Sequence, residues 1–426
     1  MSADPSQSPR SDLASLKGQI ADRSAVIGVI GLGYVGLPVA IAFAEAGFEV
    51  VGVDRDQRRI DLLTSGINPI GGAEPGLDAL LAQTIESGRL QFTTSYAALS
   101  SARIITINVD TPVNADAVPN YESLTGACRA LGPVLSSGSL VVVESTVSPG
   151  TTEGLVIPHL EETSGLRLND DLFVGVCPER VMPGRLLTNL RTVPRTCGIS
   201  ATELGPVMVE LYSTIVDAEL DVTDLLTAEL VKVTENTYRD VQIAFANEVS
   251  MICDDLGVDV WKLRELVNKV PFRNMHRPGG GVGGHCLPKD PWLLAAAPHQ
   301  SQLRLIPAAR QVNDAMPLHI ANQLVGRIEG WKAANGITAP ISVAVLGFSY
   351  LPESDDVRNS PSRLLIEELG RLGFEVKVHD PFVDEYKGPV KATLDGCQAV
   401  VVMVPHREYD ELELTSPVVM RVGKRQ

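Results

Sequence analysis

With 426 residues, 44% of them apolar and 21% charged, the chain can bury a large core and is long enough for two or three domains. Its 52 acidic against 36 basic residues leave a net charge of -16, which argues against nucleic acid or an anionic membrane surface as partner, and no Lys/Arg block offsets it. No apolar stretch reaches the ~18 residues of a membrane span, and the opening "MSADPSQSPRSDLASLKGQI" lacks a secretory signal's apolar centre; the expectation is a cytoplasmic protein whose residues 1–22 form a disordered or loosely helical polar tail.

The first recognisable unit is "AVIGVIGLGYVGLPVAIAFAEAGFEVVGVDRD", from Ala25: an apolar strand, a turn carrying Gly31, Gly33 and Gly36, a helix, and a second strand ending at Asp54. Glycines at this spacing allow a tight turn and let the backbone approach a pyrophosphate, whose charge then sits at the helix N-terminus. Tyr34 and Val35 lie between the last two glycines and belong to the same cofactor site. Asp54 is placed to accept hydrogen bonds from an adenosine ribose and would repel a 2′-phosphate, which favours NAD over NADP, although adjacent Arg55 could offset the repulsion. Arg59 either flanks the ribose or is a solvated surface side chain. Two further apolar runs, "ARIITINVDTP" and "GSLVVVESTVSPGTT", break into polar loops as buried parallel strands do at a ligand crevice. Thr111, Glu144, Ser145 and Thr146 are thereby candidates for the nicotinamide end, and each hydroxyl reads equally well as a loop or helix cap.

Residues 216–330 read as helix. "TDLLTAELVKVTENTYRDVQIAFANEVSMICDDLG" has Thr223 or Asp224 as a start signal and Gly257 as a stop, and a helix of that length is suited to join domains and to pair with its copy in a dimer. Lys232 and Asn236, four residues apart, share a face, which is either functional or a solvated stripe continued by Arg239 and Asp240. Then comes "GVGGHCLPKDPW", in which Cys286 follows a glycine-rich turn and precedes Lys289 and Asp290. Lys232 and Lys289 could supply the cationic setting that activates a thiol; the alternative is an inert buried cysteine. The other cysteines, Cys128, Cys177, Cys197, Cys253 and Cys397, stand apart without C-x-x-C spacing, so free thiols are expected. His285 has no cluster of ligands around it, and no metal site is expected.

Near the end, "ISVAVLGFSYLPESDDVRNSPSRLLIEELGRLGFEVKVHDP" repeats the opening plan, with "GFEVKVHD" echoing "GFEVVGVD". Its loop carries Asp355, Asp356 and Arg358 where the first unit has glycines, so a second NAD is not expected; Arg358 could hold a phosphate or neutralise the two aspartates. The fold class that follows is α/β: two Rossmann-like parallel-sheet domains joined by a central helical region with a long connecting helix. Expected boundaries are a polar tail over 1–22, an NAD-binding domain over 23–215, a central helical dimerisation region over 216–330 and a second Rossmann-like domain over 331–426, which the family resemblance described next makes UDP-sugar-binding.

Assembled in order, "GLGYVGLP", "EPGL", "ESTVSPGTT", "CPERVMPG", "AELVKVTEN", "FANE", "GVGGHCLPKDP" and "DDVRNSP" make residues 25–410 resemble the UDP-glucose/GDP-mannose dehydrogenase family. The resemblance implies NAD on the first domain, a nucleotide sugar between the domains, a homodimer built on the central helix, and oxidation of the sugar's C6 alcohol to a carboxylate in two NAD-dependent steps. By motif position it makes Cys286 the nucleophile, Lys232 and Asn236 the oxyanion stabilisers, Asp290 with Thr146 the pair that orders water, and Glu179 the aid to thioester hydrolysis. It places Arg180, Val181, Arg273, His276, Gly283, Lys289 and Arg358 at the UDP-sugar. Pro183 and Val282 are similar to the branch acting on UDP-N-acetylhexosamines, whereas UDP-glucose enzymes have Glu and Phe there; Lys289 is more typical of the UDP-glucose branch, and Leu351 replaces a lysine common near the phosphates. "TSPVVMRVGKRQ" stands in place of the usual closing strand, so the last layer of the second domain is either incomplete or completed by a partner. Two other classes share this scaffold: a catalytically silent nucleotide-sugar sensor, and a two-electron hydroxyacid dehydrogenase that would not need the thiol.

Overall fold

The computed structural model describes residues 9–72 and 74–423. Apolar runs form the strands of two sheets. The first contains β1 (Val26–Ile30), β2 (Glu49–Val53), β3 (Leu90–Thr93), β4 (Ile104–Ile107), β5 (Ser139–Val143), β6 (Leu172–Val176), β7 (Arg195–Ile199) and β8 (Leu220–Asp224), in the order β3-β2-β1-β4-β5-β6-β7-β8. All neighbours are parallel except β6 and β7. Every residue of β5 and β6 is buried, as expected for strands covered on both faces. The second sheet contains β9 (Ser342–Leu346), β10 (Glu375–His379), β11 (Ala399–Val402) and β12 (Val418–Arg421), ordered β10-β9-β11-β12 and parallel throughout. In each sheet the strand order reverses beside the first strand, which is where doubly wound folds bind ligands.

The chain divides into two compact units, one running to Thr234 and including Trp292–Gln300, the other comprising Glu235–Pro291 and the residues from Ser301 on. The boundary falls inside the long helix Leu225–Leu256, so the stretch 216–330 is shared between the two units. Asp224 accepts the Thr227 amide at 2.8 Å and starts this helix, while Gly257, at φ +67°, ends it. A second long helix, Leu305–Asn335, belongs to the second unit. Among the described residues no helix is long and apolar enough to cross a membrane.

Three expectations change. The tail is largely a helix, Pro9–Ala21, whose Leu13, Leu16 and Ile20 are buried in the first unit's core; residues 1–8 lie outside the described residues. These three side chains recur at spacings of three and four and so fall on one helical face. The closing segment does supply a strand, β12, paired with β11. Asp240 is not part of a solvated stripe, because it is fully buried.

Candidate active site

The turn after β1 is one that side chains cannot enter. Gly31 has φ +87°, and a Cβ there would stand 2.5 Å from the Asn108 carbonyl oxygen; a Cβ on Gly36 would stand 1.8 Å from the carbonyl oxygen of Gly31. Gly36 opens the helix Gly36–Glu45, so this close-packed turn forms a backbone cradle at a helix N-terminus, which fits a dinucleotide pyrophosphate. Asp54, at the end of β2, accepts the Leu32 amide at 2.8 Å and the Arg59 guanidinium at 3.1 Å. Arg59 in turn lies 3.8 Å from the Cβ position of Gly33. Tyr34 donates to Glu74 at 2.6 Å, and Glu74 also accepts the amides of Gly184 and Leu186, tying the glycine loop to the loop that follows β6. Val35 packs against the core beneath.

The loops after β4 and β5 are stitched together by hydroxyls. Thr111 Oγ1 donates to the Thr146 carbonyl at 2.5 Å, and Ser145 Oγ to the Val109 carbonyl at 2.7 Å. Both hydroxyls thus tie the two loops together at the carboxyl ends of the central strands, where the cofactor crevice of such a sheet lies. Glu144 turns into the unit's interior, where it accepts the Tyr212 hydroxyl at 2.5 Å. Beside it, Glu179 and Arg195 form a buried ion pair, with the guanidinium over the Tyr212 ring. Arg180 is held by the Pro194 carbonyl and Thr196, and Val181 packs on the core. Arg195 and Tyr212 carry no motif signal, and they emerge only from the pairing of distant segments.

Burial pushes Glu144 up to about 7, against the opposing pull of Arg195 and the Tyr212 hydroxyl. A carboxyl raised by folding is not penalised below its ordinary value of 4.5; as pH climbs from there to about 7, the unfolded chain ionises first and the folded state loses stability, on the order of 3 kcal/mol in all, with no further loss above. Glu144→Gln keeps an acceptor for Tyr212 but cannot ionise. Its melting temperature should therefore fall less than that of the unmodified protein between about pH 5 and pH 8, and equal slopes in thermal melts would refute a buried titrating Glu144.

In the second unit, the segment leading to Cys286 is hemmed in. Cβ atoms on Gly283 and Gly284 would stand 2.5 and 2.8 Å from Tyr350 atoms, and Asn359 donates to the Gly284 carbonyl at 2.9 Å. The glycines therefore permit close packing against the loop after β9. Cys286 is exposed, whereas the other five cysteines are buried. Its carbonyl accepts the amides of Lys289 and Asp290, which begins the short helix Asp290–Ala295. Asp290 is fully buried; Asn236 donates to it at 2.5 Å, and the Lys289 ammonium lies 3.3 Å from its other oxygen. The Tyr350 phenol is pushed up to about 12, by burial and then by Asp356. Arg358 grips the Asp356 carboxylate with Nε and Nη2. Arg273 is exposed, while His276 is half-buried on a corner held by Arg264. Lys232, one helical turn before Asn236, lies in the first unit and is 8% exposed.

The echo between "GFEVVGVD" and "GFEVKVHD" has a common structural cause. Like Asp54, Asp380 ends a strand and accepts amides of the first glycine-bearing loop, here Phe348 and Ser349 at 2.7 and 2.9 Å. Burial alone would raise its carboxyl, but His406 and the backbone amides of Ser349, Phe382 and Phe348 hold it well below the usual range. Among the described residues no group of three or more His, Cys, Asp or Glu side chains could hold a metal ion.

Comparison with known proteins agrees with this arrangement. Residues 25–216 match the NAD binding domain of the UDP-glucose/GDP-mannose dehydrogenase family, 226–315 its central domain and 344–422 its UDP binding domain. The UDP-N-acetyl-D-mannosamine dehydrogenase of Pyrococcus horikoshii is 38% identical over 92% of this chain and 91% of that protein, and the enzyme of the same name from Escherichia coli K12 is 38% identical over 82% and 83%. The solved structure of the Pyrococcus horikoshii enzyme superimposes with a TM-score of 0.87 at 35% identity, covering 94% of this chain and 95% of that one. The chain belongs to the UDP-glucose/GDP-mannose dehydrogenase family and is an NAD-dependent nucleotide-sugar dehydrogenase.

Proposed function

We propose that the protein oxidises the C6 hydroxyl of a UDP-N-acetylhexosamine to the uronic acid, through thiohemiacetal and thioester intermediates on Cys286. The observation that carries this reading is the exposed thiol of Cys286, set on a crowded glycine turn beside the Asn236, Lys289 and Asp290 group. An alcohol releases a hydride once a base takes its proton, but a bare aldehyde has no oxyanion to expel a second. Addition of the Cys286 thiolate to the aldehyde creates that oxyanion, and the second oxidation then gives a thioester. NAD, when bound, accepts the hydride in each oxidation. Lys232 and Asn236 stabilise the oxyanions, Asp290 and Thr146 order the water used in proton transfer, and Glu179 assists the hydrolysis that returns the thiol and releases the acid.

The choice of an N-acetylhexosamine is supported by Pro183 and Val282 and by relatives named for UDP-N-acetyl-D-mannosamine. We also infer a homodimer through the central helix. On the second unit's share of it, Tyr238, Phe245 and Ile252 recur every seven residues and are 64%, 59% and 53% exposed, a stripe suited to a second copy.

Assayed with UDP-N-acetylmannosamine, UDP-N-acetylglucosamine, UDP-N-acetylgalactosamine, UDP-glucose and GDP-mannose, the protein should form about two NADH per sugar acid with a UDP-N-acetylhexosamine, because two hydrides leave C6. One NADH per turnover would overturn the four-electron reading, and none with any of the five would leave a sensor.

A further inference from the structure

We propose that Asn247 is a positioning residue for the nucleophile: it clamps Gly279 and so fixes the approach of the chain to Cys286. The proposal rests on the reading of Cys286 as the reacting thiol. Asn247 Oδ1 accepts the Gly279 amide at 2.8 Å, and its Nδ2 donates to Asn313 Oδ1 at 2.9 Å. Asn313 Nδ2 donates to both the carbonyl and the carboxylate of Asp240, at 3.0 and 2.8 Å, and Arg310 Nη1 pairs with that carboxylate at 2.6 Å. Asn247, Asn313, Asp240 and Arg310 are all 2% exposed or less.

The direction of every bond in this row is forced. Asp240 offers only acceptors, so Asn313 must turn its amide nitrogen toward it and its oxygen toward Asn247. Asn247 must then present nitrogen to Asn313, which leaves its oxygen for the one group at Gly279 that can use it, a backbone N–H. Neither amide can flip without setting two acceptors face to face. The orientation fixed by the Asp240–Arg310 ion pair thus passes through two side chains to the start of the glycine segment.

Neighbouring features follow the same plan. Pro317, inside the Leu305–Asn335 helix, has no N–H to give the Asn313 carbonyl four residues back, and that carbonyl lies 3.1 Å from where a Cβ on Gly281 would stand. At the far end of the segment, Asn236 holds Asp290. Asn236, Asp240 and Asn247 recur at spacings of four and seven, so one face of the Leu225–Leu256 helix grips the nucleophile's segment at both ends. Gly279 is the place for a clamp of this kind, since nothing lies within 4 Å of its Cβ position and its amide alone makes the contact.

The test compares Asn247→Ala, Asn313→Ala and Cys286→Ser with the unmodified full chain. Asn247→Ala should lower kcat by about 10²-fold, the effect of misplacing a reacting group by about an ångström, with the KM for NAD unchanged within about threefold. Asn313→Ala should act in the same direction, because it removes the group that orients Asn247. Amide hydrogen exchange adds a readout that needs no turnover: in the unmodified protein the Gly279 amide should be the slowest of 276–286, and in Asn247→Ala exchange over 279–286 should rise about tenfold while both long helices stay protected. A fast Gly279 amide in the unmodified protein would overturn the clamp. So would an Asn247→Ala enzyme with kcat within about threefold of normal while Cys286→Ser is inactive, or a loss of protection spread along both helices. A Cys286→Ser enzyme that still makes acid would instead overturn the nucleophile reading on which the clamp depends.

Discussion

Cys286→Ser is expected to cut turnover to the sugar acid by at least ~10³-fold while leaving UDP-sugar binding largely intact, as for the loss of a covalent catalyst. Serine keeps a hydroxyl of similar size but loses the readily formed thiolate, so both addition to the aldehyde and formation of an easily hydrolysed acyl intermediate suffer. The first hydride transfer does not need the nucleophile, so the variant should pass one hydride and hold an aldehyde or its hydrate. Rapid mixing with one equivalent of substrate, followed by acid quench and product analysis, separates the two stages. A serine enzyme that makes acid at nearly the normal rate would mean that the aldehyde is oxidised through its hydrate, and the crowded turn before Cys286 would need another explanation.

Gly36→Ala should weaken NAD binding on the order of 10²-fold. The added methyl would stand 1.8 Å from the Gly31 carbonyl oxygen, which belongs to a turn already crowded against Asn108, so relief requires the cradle itself to move. Gly18→Ala supplies the comparison. It adds the same methyl to the helix Pro9–Ala21, with nothing within 4 Å, and should bind NAD as the unmodified protein does. Titration of both variants with NAD decides the matter, and affinity within about threefold of normal for Gly36→Ala would place the pyrophosphate elsewhere.

Local features were the legible ones. The glycine turn with the terminal acid Asp54 spans 22 residues of chain and its echo before Asp380 spans 32, and spacing alone exposes them. The burial of Asp240 was hidden for a different reason: a four-residue spacing says that two side chains share a helical face without saying whether that face meets water. Glu74 shows the other limit. Its motif is visible, but two of its partners, Gly184 and Leu186, lie 110 and 112 residues further on, and no periodicity connects them. Arg195 and Tyr212, a charge that opens a five-residue strand and an aromatic in an apolar helix, belong to no motif, and only folding brings Glu144 and Glu179 beside them. The apolar side of the first helix was diluted by its polar neighbours, and the closing strand is only four residues long.

That first helix bears on how the protein's start should be defined. The family correspondence begins at residue 25, after Leu13, Leu16 and Ile20 have already been laid into the same core as Leu204, Val207 and Leu211. A shortened gene that follows the correspondence would uncover this apolar surface, at about 1.5–3 kcal/mol for each large side chain withdrawn, and would invite the product to stick to itself. Homology marks where the chemistry-bearing framework starts, whereas packing marks where a stable piece of protein starts; in this chain the two points lie more than ten residues apart.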